Sequence, residues 1–154
     1  MSKKPVEDIK QLLSYEIPKE LISKLPDKWE KIGDILIVDL PSFFDKYKKS
    51  IGEAYADVLG CKSVLNNLGA IQGELREPNV EVIFGPNDTT TIHKENNICF
   101  KLDPQRVMFS SGNINERIRM ATISKPGEVV VDLFAGIGYF TLPVAVYSLS
   151  LIHI

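Results

Sequence analysis

The sequence predicts an α/β protein in two parts, a small N-terminal α/β domain followed by the first part of a doubly wound domain. Three observations lead there. Residues 127–147 read GEVVVDLFAGIGYFTLPVAVY: a β-branched run ending on Asp132, a glycine turn over 134–138, and an apolar helical segment from Tyr139. Strand, glycine turn and helix open a doubly wound sheet, whose ligands sit at the carboxyl end of the strand. Upstream, short β-branched runs alternate with one long helical pattern, as in a compact mixed α/β unit. Between the two, Pro104 marks the change of module.

Taken in order, residues 6–14 and 19–25 have amphipathic spacing and predict two short peripheral helices, with Pro18 near the start of the second and Pro26 ending it. DILIVDL, residues 34–40, predicts a strand broken by Pro41 and Ser42. Residues 43–59 carry Phe44, Tyr47, Ile51, Ala54 or Tyr55, and Val58 at helical spacing. Lys46, Lys48 and Lys49 lie on the polar side of that helix; such a cluster is ordinarily a solvated face, and here it is also the best local candidate for a phosphate contact. Val64 and Leu65 predict a short strand, and Asn66, Asn67, Gly69 and Gly73 turns. VEVIF, residues 80–84, is a further strand. Residues 89–93 and 98–102 predict a hairpin joined by a polar loop over 94–97. A short strand at 106–109 and a turn, Ser110-Ser111-Gly112, lead into a helix that Asn113 caps, with Glu116 three residues on as in a capping box. Ile114, Ile118 and Ala121 fall on its buried face, and Arg117 and Arg119 point elsewhere.

Composition narrows the function classes. The chain has 154 residues, 44% hydrophobic and 25% charged, the balance of a globular protein of one domain or two small ones. No apolar run is long enough to span a bilayer, and the N-terminal lysines precede no apolar signal segment. Cys61 and Cys99 have no metal-ligand spacing and read as reduced thiols of a cytoplasmic protein without a metal site. The pI near 5.7 argues mildly against a nucleic-acid partner, although a local basic patch suffices to bind RNA.

The turn is G-x-G, with Gly136 and Gly138, but Thr141 stands where a dinucleotide fingerprint has its third glycine, and no G-K-[ST] supports a P-loop. A strand ending in Asp132 and followed by F-A-G-x-G resembles the first motif of class I S-adenosylmethionine-dependent transferases, whose Rossmann-like fold packs this turn under the cofactor. The resemblance becomes specific upstream. FKLDPQRVMFSSGNINERIRMA, residues 100–121, followed by VVVDLFAGIGYFTLPVAVY, resembles the archaeal and eukaryotic enzymes that modify the guanosine 3′ of the tRNA anticodon. Two sister groups share this framework: the tRNA guanine-N1 methyltransferases, and the wybutosine-synthesis enzymes that transfer the 3-amino-3-carboxypropyl group of S-adenosylmethionine. IGDILIVDLPSFFDKYKKSI and TIHKENNICFKLD resemble the small domain preceding the cofactor domain in both groups, so the likeness runs from about residue 25 to 147.

The methyltransferases continue the turn after this phenylalanine as Ser-Pro-Arg. Here Phe109 is followed by Ser110-Ser111-Gly112-Asn113, without the arginine, which matches the aminocarboxypropyl transferases better. The resemblance implies S-adenosylmethionine as group donor, tRNA as partner, and Ser110, Arg117, Asp132, Phe134, Gly136 and Gly138 as cofactor contacts; it identifies no catalytic residue or oligomeric state. The plain alternatives are a turn residue for Ser110, a solvated or acid-paired arginine for Arg117, and a cap on the following turn for Asp132. Methyl transfer, and a non-catalytic RNA-binding module, are the competing functions. The expected layout is N-terminal helices at 1–26, the small tRNA-contacting domain at 27–103, and an incomplete cofactor domain at 104–148. LSLIHI, residues 149–154, has no acidic strand end, and one codon choice for it spells a transposon-end adapter, so it is expected to be a non-native tail. The single strand of that incomplete domain should leave an apolar edge uncovered and give little catalysis by itself.

Overall fold

A computed structural model describes residues 4–70, 77–125, 127–148 and 151–153. The turn expected at Gly73 lies outside them, as does Pro126. The chain divides into two compact units, one of residues Met1–His93 and Lys101–Phe109, the other of Lys94–Phe100 and Ser110–Ile154.

The first unit is a four-stranded sheet covered by helices. β1 (Glu30–Ile32), β2 (Ile35–Val38), β3 (Ser63–Asn67) and β4 (Val80–Phe84) lie in that order; β1 is antiparallel to β2, β2 parallel to β3, and β3 antiparallel to β4. The parallel pair needs a crossover, and the helix after β2 supplies it. That helix starts as a 3₁₀ segment, Ser42–Tyr47, and continues as α3, Lys48–Leu59. Its spacing delivers Phe44, Ile51, Ala54 and Tyr55 to a core shared with Leu36, Val38, Val64 and Ile83. The sequence makes α1 (Pro5–Leu13) peripheral, but it is not: Ile9 is fully buried, and Leu13 and Ile17 join the same core. Three apolar side chains at i, i+4 and i+8 outweigh the polar residues between them. α2 (Lys19–Ile22) is a single turn with no buried side chain.

Polar residues in this unit do more than mark turns. Asn66 lies within β3 and is 2% exposed; its side chain accepts the Leu40 amide (2.9 Å) and donates to Glu81 (2.9 Å), so both ends of the amide are satisfied. Glu81 also pairs with Lys48, which pairs with Asp45 at 3.0 Å. One of the three lysines read as a solvated cluster is therefore engaged on its own domain. No strand forms over 106–109: Asp103 accepts the Gln105 amide (3.0 Å), and its carbonyl accepts the Arg106 and Val107 amides, which makes a turn.

β5 (Thr91–Glu95) and β6 (Ile98–Leu102) form a hairpin. The connection is shorter than the expected four-residue loop. It is the two residues Asn96 and Asn97, both at positive φ (48° and 62°), the pairing that a type I′ turn favours. Residues 94–100, the tip of the hairpin, are grouped with the second unit.

The second unit further holds a 3₁₀ turn at Ser111–Asn113, α4 (Ile114–Ile123), β7 (Val129–Val131), α5 (Thr141–Ser148) and β8 (Leu151–His153), which is parallel to β7. Val129 and Val131 are 63% and 62% exposed, an uncovered apolar strand. Two expectations for α4 fail. The Asn113 side chain makes no capping bond: its backbone closes a 3₁₀ turn (φ −95°, ψ 17°) instead of taking the extended conformation of a cap, and Glu116 forms a two-oxygen pair with Arg119 (2.8 and 2.6 Å). And Ile114 and Ile118 are exposed, whereas Arg117 and Ala121 are buried. The helix is turned about its axis from the apolar reading, because the hairpin tip offers Arg117 a carboxylate. Among the described residues no helix is long and apolar enough to cross a membrane, and no group of three or more His, Cys, Asp or Glu side chains could hold a metal.

Candidate functional site

The six residues implicated by sequence fall into two linked groups within the second unit. The first is built on Arg117. Its guanidinium forks onto Glu95, Nε to Oε1 at 2.6 Å and Nη2 to Oε2 at 2.7 Å, and its Nη1 donates to the Ser110 carbonyl at 2.8 Å. The planar fork of arginine matches a carboxylate in two parallel hydrogen bonds, the strongest pairing available to side chains. The Arg117 and Glu95 side chains are 1% and 7% exposed, so the pair is shielded from water. Cζ also lies 5.4 Å from the centroid of the Tyr139 ring, within cation–π range.

Ser110 is held from both sides of its backbone. Its carbonyl receives Arg117, and its amide donates to the Tyr139 hydroxyl at 3.3 Å. Tyr139 directly follows Gly138, which joins this group to the second one.

The second group is the turn after β7. Asp132 accepts the Phe134 amide at 3.1 Å through one oxygen and the Thr141 hydroxyl at 2.7 Å through the other. It therefore fills the role of a cap on the turn, and Thr141, where the third glycine is missing, is the residue that closes it. Gly136 and Gly138 both have positive φ, 55° and 87°. A Cβ on Gly138 would meet Leu142 Cγ at 2.8 Å, whereas one on Gly136 would have only the Phe134 carbonyl oxygen nearby, at 4.0 Å. Gly138 is thus required by the fold, and Gly136 faces open space. Phe134 is 94% exposed.

A cleft of about 180 Å³ opens between the hairpin tip, α4 and α5, walled by Asn96, Arg117, Ile118, Ala121, Pro143 and Tyr147. The Tyr147 hydroxyl donates to the Asn96 carbonyl across it. Of the six residues named from sequence, only Arg117 lines this cleft.

Two participants are not singled out by the sequence. Tyr139 reads there as the first residue of a helix, and Glu95 falls in the expected loop. Reading Asn96-Asn97 as a two-residue turn exposes Glu95: the alternation Thr91, His93, Glu95 then puts it on the same strand face as buried Thr91.

Comparison with known proteins places both parts of the chain. The family model described as the TYW2 N-terminal domain matches residues 9–89, and that described as the TRM5/TYW2 methyltransferase domain matches residues 91–152. A tRNA(Phe) (4-demethylwyosine(37)-C(7)) aminocarboxypropyltransferase of Pyrococcus horikoshii is 50% identical over 140 residues, which is 91% of this chain and 50% of that protein. The tRNA (guanine(37)-N(1))-methyltransferase Trm5b of Pyrococcus abyssi is 40% identical over 130 residues, 84% of this chain and 39% of that protein. The crystal structure of P. horikoshii TYW2 in complex with MeSAdo superposes with a TM-score of 0.82 at 44% identity, covering 96% of this chain and 52% of that one. The chain thus spans about half the length of the two P. horikoshii relatives and 39% of Trm5b. With each of its two parts matched by a family model, the chain belongs to the TRM5/TYW2 family, carrying a TYW2 N-terminal domain ahead of the family's methyltransferase domain.

Proposed function

We propose that the intact protein transfers the 3-amino-3-carboxypropyl group of S-adenosylmethionine to the wybutosine-precursor base 3′ of the anticodon in tRNA. The observation that carries this reading is the Ser110 turn. It lacks the arginine of the methyltransferase pattern, and the cation beside it comes instead from α4, with Arg117 bonded to the Ser110 carbonyl. The 50% identity to an aminocarboxypropyltransferase supports the same choice.

The residues present fit this cofactor. The turn lies at the carboxyl end of β7, where ligands of such folds bind. Gly136 leaves room for close approach, and Phe134 presents an exposed ring beside it. When bound, the group supplies a sulfonium with three electrophilic carbons, of which the base attacks the one aligned with it. The chain's own residues serve alignment. Both backbone groups of Ser110 are engaged, which fixes where its hydroxyl can reach. Arg117, its charge met by Glu95, fixes Ser110 through its remaining terminal nitrogen. Asp132 holds the turn closed through Thr141. Alignment of reacting atoms alone can supply much of a rate enhancement, and here it selects the product. On the first unit, Lys46 and Lys49 are exposed, and we assign them to phosphate contact with tRNA.

Methyl transfer is the second reading, favoured by the family model shared with TRM5 and by the 40% identity to Trm5b. One experiment separates them. The full-length protein is incubated with precursor tRNA and S-adenosylmethionine labelled on the methyl or on the methionine carboxyl. The carboxyl label is expected in the tRNA. Entry of the methyl label instead establishes the methyltransferase reading, and entry of neither favours a binding module.

A further inference from the structure

We infer that Glu95, at the tip of the β5–β6 hairpin, is a positioning residue for the cofactor site, acting through Arg117 on Ser110 and through Ser110 on the glycine turn. The inference rests on the proposal that the turn binds S-adenosylmethionine.

Four links make the chain. Glu95 takes both Nε and Nη2 of Arg117, which fixes the plane of the guanidinium. The remaining terminal nitrogen, Nη1, is thereby directed onto the Ser110 carbonyl at 2.8 Å. Ser110 donates its amide to the Tyr139 hydroxyl. Tyr139 is covalently next to Gly138, whose φ is 87° and whose carbonyl accepts the Leu142 amide at 3.0 Å. Two segments far apart in sequence, 110–117 and 134–141, are therefore oriented by one carboxylate on a third.

The position of Glu95 is itself firmly determined. It is the last residue of β5, directly before a turn whose two asparagines both take left-handed φ. The carbonyl of Asn96 is held by the Tyr147 hydroxyl. Phe100, across the hairpin, has its ring 6.4 Å from that of Tyr139. A carboxylate on so constrained a strand end sets the geometry of its partner rather than adapting to it. A residue needed only for packing would not require a two-oxygen acceptor in this plane. Burying the pair carries a desolvation cost that a pair of apolar side chains would avoid.

The test uses the full-length protein and the variants Glu95→Gln and Glu95→Asp. Dissociation constants for S-adenosylmethionine are measured by calorimetry, and amide exchange at Ser110 and residues 136–142 is measured without cofactor. Glu95→Gln is expected to weaken cofactor binding by about tenfold or more, since a lost charge-assisted contact has that weight. It should also speed exchange at Ser110 in the cofactor-free protein. Glu95→Asp, which keeps the charge, should recover part of both. In steady state, KM for the cofactor should rise more than kcat falls. A folded Glu95→Gln protein with unchanged affinity and unchanged Ser110 exchange overturns the inference. If that variant does not fold, Tyr139→Phe decides the matter. It removes the link to the Ser110 amide without stranding a charge, and unaltered cofactor affinity in it refutes the relay. A wild-type protein that binds no S-adenosylmethionine refutes the cofactor reading itself, and the relay's role with it; wild-type binding beside unaltered variants refutes Glu95 alone.

Discussion

Thr141 donates its hydroxyl to Asp132 at 2.7 Å across the glycine turn, from the sequence position where a dinucleotide-type turn has its third glycine. The departure from the fingerprint is thus a closure of a different kind. A side-chain hydrogen bond ties the end of the strand to the start of α5, instead of a bare backbone letting helix and strand pack closely. Thr141 is 7% exposed and Asp132 half-buried, so loss of the hydroxyl removes a charge-assisted hydrogen bond from the turn.

Thr141→Val, nearly the same shape without the hydroxyl, should cost the second unit about 1–3 kcal/mol. Hydrogen exchange at Phe134 and Leu142 should quicken while the amides of β2 and β3 stay protected. Equal protection at all four places would show that the bond contributes nothing to the turn.

The two glycines should separate cleanly. Gly138→Ala is expected to destabilise the second unit because its Cβ meets Leu142 Cγ at 2.8 Å and its φ is 87°. Gly136→Ala has open space and should lose only the left-handed backbone term of about 1–2 kcal/mol. Gly136→Val should nonetheless abolish cofactor binding in a folded full-length protein. Normal binding by that variant would remove Gly136 from the pocket wall.

Arg117 and Arg119 differ by two residues and should differ greatly in consequence. Arg117→Ala strands the Glu95 carboxylate at 7% exposure, and breaking such a buried pair costs about 3–5 kcal/mol. Arg119→Ala breaks a pair open to water and should leave the thermal transition where it is. Similar melting temperatures for the two variants would contradict the burial of the first pair.

In the first unit, Asn66→Ala leaves the Leu40 amide without its acceptor and should cost about 1–3 kcal/mol in denaturant unfolding. The same network sets an acid dependence. The Asn66 amide and then Lys48 hold the Glu81 carboxyl below its ordinary 4.5. The folded state therefore binds fewer protons than the unfolded chain. The stabilisation is complete above that ordinary value and is lost as pH falls through the lower folded one. Asn66→Ala should make the stability curve of the first unit shallower as pH falls below the ordinary carboxyl value of 4.5. A curve of unchanged slope would show that Glu81 is not coupled to Asn66.

Tyr55 gives the alkaline counterpart. Burial, and then the charge of Asp27, push its phenol well above the ordinary 10.0, and its hydroxyl donates to the Pro26 carbonyl. The folded protein keeps this proton longer than the unfolded chain, so its contribution is full below about pH 10 and falls as pH rises beyond it. Spectrophotometric titration should show one tyrosine that ionises only on unfolding. Its absence in Tyr55→Phe assigns it; its persistence there refutes the assignment.

Much of the fold was legible because it follows from periodicity. The face of α3, the run of β2 and the strand–turn–helix at Asp132 are all set by apolar spacing or glycine placement. What escaped was decided by polar pairs between residues distant in sequence. Asn66 reads as a turn residue until Leu40 and Glu81 are placed beside it. Arg117 reads as an outward arginine until Glu95 arrives from a hairpin 22 residues earlier, so that α4 buries Arg117 beside Ala121 and leaves Ile114 and Ile118 exposed. A buried charge leaves no periodic trace, since its partner and not its neighbours determines which way it faces.

The hairpin also bears on how such a protein can be assembled by recombination. The two family models meet at residue 90, between 9–89 and 91–152. A genetic seam there keeps Glu95 and Arg117 on one transferable cassette. A seam at the proline-marked change of module, near residue 104, would deliver the arginine to a new partner without its acid. Chimaeras joined at 90 should inherit a working Ser110 turn, while those joined at 104 would have to recruit an acid from a foreign hairpin.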